Sequence, residues 1–244
     1  MKKSKVNEII KKKDKQPFFT FIKGILRLIF RKPKQIINLN ETFDEHSVIL
    51  SNHSAKWGPI YLEMFFPYKH ALWGAHEMLE NYKSRFKYLR DIYYMKKRGY
   101  SKFRATIGAG FEAIFSIFFY RGMRILPTYQ DMRMINTIND TIKIIDSGLP
   151  MVIFPENSDK GYKEQIESCH QGCYMFAERY YRIKKVDVPL YPVYVHVKRK
   201  IIVIGKPMYL QELKEQGLNK EQIIEYYRQQ INNLFIKYIK NEKL

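Results

Sequence analysis

At 244 residues the chain is long enough for one domain with a sizeable core, or for such a domain with an appended arm. Lys and Arg number 43 against 24 Asp and Glu, and the formal charge of +19 points to anionic partners: nucleic acid, a phospholipid surface or a phosphorylated substrate. With 45% apolar residues, 15% aromatics, 12 Gly and 10 Pro, the composition excludes disordered, collagen-like and low-complexity classes. Two Cys, at 169 and 173, exclude a disulfide framework, and with no secretory leader pattern the chain reads as an intracellular protein of a reducing compartment.

Residues 1–16 carry seven Lys and few large apolar side chains, which predicts a solvated basic arm that does not pack into the core. PFFTFIKGILRLIF (17–30) follows. At about 14 residues it is shorter than the roughly 20 a membrane span needs, and Lys23 and Arg27 interrupt it. On a helical wheel Thr20, Lys23, Gly24, Arg27 and Arg31 share one narrow face and large apolar residues cover the rest, the pattern of a helix lying in a lipid interface. The alternative is a core helix whose basic stripe faces water. From residue 47, short β-rich runs (SVILS, ALWGA, MRILPTY, PMVIFPE, VPLYPVYV, IIVIG) alternate with helical patterns. This predicts an α/β domain over residues 45–244, with a mixed, largely parallel central sheet flanked by helices, behind an arm and interfacial helix over 1–44.

The run 105–120 is apolar but short and holds Glu112, so it reads as a buried or membrane-touching helix. Ile135, Ile138, Ile142 and Ile145 predict a helix over 134–147 that stops at Gly148, and Asn219 with Gln222 predicts a capped C-terminal helix. Residues 93–104 (YYMKKRGYSKFR) interleave five basic residues with aromatics. Lipid headgroups, coenzyme A phosphates or single-stranded nucleic acid would suit such a stretch. Cys169 and Cys173 share a face of a predicted helix but His170 does not, so ordinary buried thiols are expected and no metal site.

Four segments in order, SNHSAKWGP (51–59), RGMRILPTYQD (121–131), VIFPENSDKG (152–161) and VPLYPVYV (188–195), resemble the four motifs of the glycerolipid acyltransferase family, the 1-acylglycerol-3-phosphate acyltransferases and their relatives. GAHEML (74–79) and IGKPM (204–208) are secondary echoes. The resemblance implies an O-acyltransferase that moves a fatty acyl group from an acyl thioester, acyl-CoA or acyl carrier protein, to a hydroxyl of a lysolipid or glycerolipid. It implies no cofactor beyond the thioester co-substrate. His53 would be the general base. Asn52, Arg124, Gln130, Phe154, Pro155, Glu156, Asn157, Ser158, Lys160, Pro189 and Pro192 would form the substrate site. The expected partners are a membrane lipid surface, the thioester donor and an acyl carrier protein, with no nucleic acid. The expected location is the cytoplasmic face of a membrane, peripheral or monotopic.

The motifs also depart from the family pattern. Gly58 stands where an Asp orients the histidine, and Gln130 and Asp159 stand where two Arg hold the acceptor phosphate, with Asn157 in place of a Gly. In the serine-protease template, loss of the orienting carboxylate costs roughly 10⁴ in rate. Glu63, Glu77, Asp131, Glu156 or Asp159 are the acids that would replace it. The departures imply an acceptor other than glycerol phosphate, or a shifted phosphate site drawn from Arg121, Arg124, Arg133, Lys160 and Lys163. Two alternatives accompany this reading: a member of the same fold that binds lipid without catalysis, and a basic nucleic-acid-binding protein.

Overall fold

The computed structural model describes residues 5–13, 16–54, 57–159 and 161–240. Among them, seven strands form one sheet in the order β1-β7-β6-β2-β5-β3-β4. They are β1 (Gln35–Asn38), β2 (Val48–Ser51), β3 (Ala71–Ala75), β4 (Ile125–Thr128), β5 (Met151–Ile153), β6 (Leu190–His196) and β7 (Ile201–Ile204). β6, β2, β5, β3 and β4 are mutually parallel; β7 runs antiparallel to β6, and β1 lies parallel to β7. The mostly parallel sheet follows from the apolar runs, because strands covered on both faces have no polar side to alternate with.

Period two in the strands separates two cores. Val48, Leu50, Met151 and Ile153 face a layer made by α6 (Met134–Asp146), α7 (Gly172–Lys184), α8 (Leu210–Glu215) and α9 (Lys220–Phe235). Ile49, Leu72, Val152 and Val193 face α2 (Pro17–Ile29), α3 (Trp57–Phe65) and the end of α5 (Lys102–Gly122). A smaller third core gathers under α5 from Met78, Leu89, Tyr93, Ala109 and Ala113. It involves α4 (Tyr82–Lys87) and the π-helical run Tyr88–Lys97 that continues it. The two predicted helices form as expected: α6 ends ahead of Gly148 at φ +75°, and Asn219 and Gln222 close a reciprocal capping box on α9.

The basic arm departs from its expectation. Residues Lys5–Lys11 form α1, and Val6 and Ile9 are buried in the first core. The Lys12 ammonium donates to the carbonyls of Arg121 (2.7 Å) and Met123 (2.8 Å), and Arg124 donates to the Lys12 carbonyl at 2.6 Å. The lysine density hid a two-residue apolar stripe at i, i+3, which is enough to dock one turn of helix. β1 was likewise not foreseen. It lies before residue 45, is largely exposed, and takes its place through main-chain pairing with β7. Ile9→Ala is expected to cost about 2–4 kcal/mol in urea unfolding; a loss within about 0.5 kcal/mol, the scale of surface substitutions, would return the segment to a solvated arm.

Candidate functional site

The parallel strands β2 and β5 lie side by side, with Val48, Ile49 and Leu50 opposite Met151, Val152 and Ile153. After β2 the chain passes to α3 in the second core; after β5 it passes to α7 in the first. Their C-terminal ends therefore flank a crevice where the chain leaves toward opposite faces, the place at which open α/β sheets bind ligands. His53 follows β2, and Phe154, Pro155 and Glu156 follow β5.

The two segments are locked together there. Glu156, 8% exposed, accepts the main-chain N–H of His53 on Oε2 at 3.0 Å. Burial pushes the Glu156 carboxyl above its usual range, against the His53 N–H, the Lys97 ammonium and the Lys163 N–H, which hold it down. The half-buried His53 ring lies 5.0 Å from the rings of both Phe154 and Tyr162. Ser54, directly after it, has φ 43°, a left-handed conformation that a non-glycine residue holds only where its surroundings enforce it.

Asn52 is buried and spends its amide on β6: Nδ2 donates to the Val195 carbonyl at 3.0 Å and Oδ1 accepts the Val195 N–H at 2.7 Å. It fixes the strand end that carries His53, and it is turned toward β6. Gly58 is tied back in the same turn, its N–H donating to the His53 carbonyl at 3.2 Å; a Cβ there would lie 2.3 Å from that oxygen. The position where the family carries Asp is closed to a side chain in this backbone.

The loop after β5 is pinned along its length. Pro155 accepts the His170 N–H at 2.7 Å, Asn157 donates to the Ser168 carbonyl at 2.9 Å, and Glu156 bridges to Cys169. Cys169 thus lies ahead of α7 and not on a helix with Cys173. Both thiols are free and burial raises both, Cys173 to about 12. Ser158 is buried and accepts from Lys97 at 2.7 Å, and Lys97 lies 5.4 Å over the Tyr162 ring. Desolvation lowers the Lys97 pKa. Asp159 pairs with Lys96 at 3.0 Å. Within the basic run 93–104, residues 93–97 belong to the π-helical run and residues 102–104 open α5, and Lys96 and Lys97 reach this loop.

Other expected site residues lie elsewhere. Arg124 and Pro189 precede β4 and β6, so they sit at the opposite end of the sheet from His53; Arg124 binds Lys12, and Pro189 accepts the Val48 N–H at 2.9 Å. Gln130 is exposed after β4, the edge strand two places from β5, a separation of roughly 10 Å. Pro192 lies inside β6 opposite Leu50, with its missing N–H on the side where β7 gives way to the Leu190–Met208 bridge; its carbonyl accepts the Gly205 N–H at 2.8 Å. Lys160 falls outside the described residues. Of the candidate acids, Glu63 pairs with Lys23, Glu77 with His76, Asp131 with Arg133 and Asp159 with Lys96. Glu156 reaches His53, through the main chain. Lys163 of the proposed shifted phosphate site pairs with Glu167.

Sequence reasoning named neither Tyr162 nor Lys97 as a site residue. Nothing in the spacing marks Tyr162; for Lys97 the acid-free basic run was the signal. A depression of about 1050 Å³ is lined by Asn157, Lys163, Ile166, Arg228 and Lys240 among others, without His53. Among the described residues, no group of three or more His, Cys, Asp and Glu forms a metal-binding cluster. Comparison with protein-family models, curated proteins and solved structures finds no match to this chain.

Gly58→Ala is expected to destabilise the fold by about 1–3 kcal/mol, because the methyl group must displace the His53 carbonyl; unchanged thermal unfolding would show that the turn has room. A second expectation concerns His196 at the end of β6. Its Nδ1 accepts the Arg199 N–H at 3.1 Å, and burial depresses its pKa. A depressed histidine contributes stability above its unfolded value of about 6.5 and loses it as pH falls through the lower folded value. The unfolding midpoint should therefore drop between pH 7 and pH 5, and the drop should be smaller in His196→Gln. Equal slopes for the two proteins would remove His196 from that role.

Proposed function

We propose that the chain is an O-acyltransferase that transfers a fatty acyl group from an acyl thioester, on coenzyme A or acyl carrier protein, to a hydroxyl of a lysolipid or glycerolipid. The observation that carries this reading is the meeting of the Asn-His and Phe-Pro-Glu segments, 103 residues apart, at adjacent strand ends, with Glu156 fixing the main chain of His53. In the proposed reaction the acceptor oxygen attacks the thioester carbonyl carbon while His53 takes its proton. The C–S bond then breaks, and the imidazolium returns the proton to the departing thiolate. Such base catalysis contributes about 10²–10⁴-fold, with binding of both reactants in one crevice adding to it. Lys97 supplies the loop after β5 with a cation, and Lys96 neutralises Asp159, so positive charge reaches this loop from another segment.

The substrate class suits a protein held at the cytoplasmic face of a membrane, peripheral or monotopic, through α2. Phe18, Phe21, Ile25, Leu28 and Ile29 of that helix are exposed, and no helix among the described residues is long and apolar enough to cross a membrane. A second reading, lipid binding without transfer, is favoured by the closed position at Gly58, since an orienting carboxylate has no room there.

The test is thiol release from acyl-CoA or acyl carrier protein in the presence of lysolipids. His53→Ala is expected to lower the rate by at least about 10²-fold. Glu156→Gln, which keeps an acceptor for the His53 N–H, should retain more activity than Glu156→Ala. Gly58→Asp should lower the rate. No transfer with either donor, with lipid binding unchanged in His53→Ala, would favour the binding-only reading.

A further inference from the structure

Eleven of the twenty-one large apolar side chains exposed among the described residues lie on two helices. α2 presents the five named above. α5 presents Phe103, Ile107, Phe111, Ile114, Phe115 and Phe118, of which Phe103, Phe111 and Phe115 are 78%, 66% and 65% exposed. The spacing of three and four makes them one stripe of the helix. The opposite stripe of α5 is small: Ala105, Ala109 and Ala113 are fully buried, Ala109 and Ala113 in one cluster with Leu89 and Tyr93 of the Tyr88–Lys97 run. A helix that packs its alanines inward and shows its phenylalanines outward is inverted for a water-facing position, and a patch of this size marks an interaction surface.

The two stripes are continuous. Phe18 of α2 meets Phe118 of α5 edge-on at 5.5 Å, and Phe19 lies beneath, against Phe119 at 5.4 Å. Gly122 makes that approach possible: a Cβ there would sit 2.0 Å from the Phe19 ring. α2 is held on its inner side by Phe19, Ile22 and Leu26 and by the Lys23–Glu63 pair at 3.3 Å. Lys23 thus turns toward the protein, and the helix is fixed with an apolar side outward.

Charge selects the occupant. Lys102, Arg104 and Arg121 are exposed at the two ends of α5, and Arg31, Lys32 and Lys34 follow α2. α2 contains no acid, and Glu112 of α5 is turned to the Tyr94 hydroxyl. A second copy of the chain would bring this basic rim against itself, whereas an anionic bilayer accepts both the apolar stripe and the rim. Near the N-terminal end of α5, a depression of about 590 Å³ lined by Tyr94, Tyr100, Phe103, Ile107 and Gly108, with Arg104 at its edge, offers apolar walls beside a cation. We infer that α5, together with α2, forms a single two-helix face that docks flat on an anionic lipid bilayer, with α5 supplying the larger half.

The inference extends the membrane part of the proposed function and is independent of catalysis, so binding alone tests it. The full-length protein is sedimented with vesicles of phosphatidylglycerol and phosphatidylcholine, and with phosphatidylcholine alone. Binding is expected to the former and to weaken in high salt. The double variant Phe111→Ser, Phe115→Ser should bind at least about tenfold more weakly, given the burial each ring contributes, and Leu28→Ser should also weaken it. Because exposed positions are changed, thermal unfolding should stay near that of the wild type. A readout that needs no loss of function is Phe111→Trp, whose emission should be quenched by vesicles with brominated acyl chains. Loss with Leu28→Ser but wild-type binding and no quenching at position 111 would overturn the role of α5 and leave α2 as the anchor. No vesicle binding, with a dimer in light scattering that the α5 double variant converts to monomer, would assign the face to a second copy and overturn the inference.

Discussion

The pairing of β2 with β5 is the constraint on which the rest of the molecule depends. Ile49 and Val152 lie side by side in one core, and Leu50 and Ile153 in the other. A slip of one residue would turn each of them to the wrong face, so burial on both sides fixes the register more firmly than hydrogen bonding alone. That register brings the segments after the two strands level with one another, and the carboxylate of Glu156 into reach of the His53 N–H. A buried carboxylate left without partners is costly; here two main-chain N–H groups and a neighbouring ammonium offset the loss of water. Asn52 adds a second bolt from β2 to β6, so the strand end is held from both sides.

Around this fixed edge the layers are unequal. The α6–α7–α9 side is a conventional core with large side chains inward. On the other side α2 and α5 carry apolar residues on both of their faces, and only one face of each is used by the fold. For α5 the inner alanines let the Tyr88–Lys97 run approach closely, which also brings Lys97 to Ser158 and Tyr162. The same choice of small residues inward therefore serves both the loop after β5 and the outward display of phenylalanines.

The sheet was largely legible in the sequence because strands buried on both faces are written as continuous apolar runs, and six of the seven were visible that way. β1 was not, since an exposed edge strand needs no apolar pattern and is held by main-chain pairing with a partner far along the chain. The arm misled because charge outweighs two buried side chains in any average over composition, while Val6 and Ile9 decide where the segment sits. At the candidate site, two segments that motif order assigned to one place, those of His53 and Glu156, lie within hydrogen-bond reach of each other. Linear proximity failed for Arg124 and Pro189: both lie inside matched motifs, but on the entering side of a strand, and a strand's length separates that side from the crevice. Tyr162 was out of reach because a loop whose path no local pattern encodes delivers it, while Lys97 lay in a basic run whose composition marked it but whose destination at Ser158 depends on tertiary packing.

The pairing of β1 with β7 also has a consequence for how the chain reaches its folded state. Gln35 lies opposite Ile201, so the edge strand waits for almost the whole domain to be made before its ladder can form. β2 likewise needs β5 and β6, which come late. Contacts this far apart in sequence carry a large loop-closure cost and make folding slow, with little native pairing available to the first third of the chain during synthesis. Throughout that interval the apolar side chains of residues 17–30 have no core to enter. The order of synthesis thus exposes this apolar segment before the sheet that covers its inner side is complete.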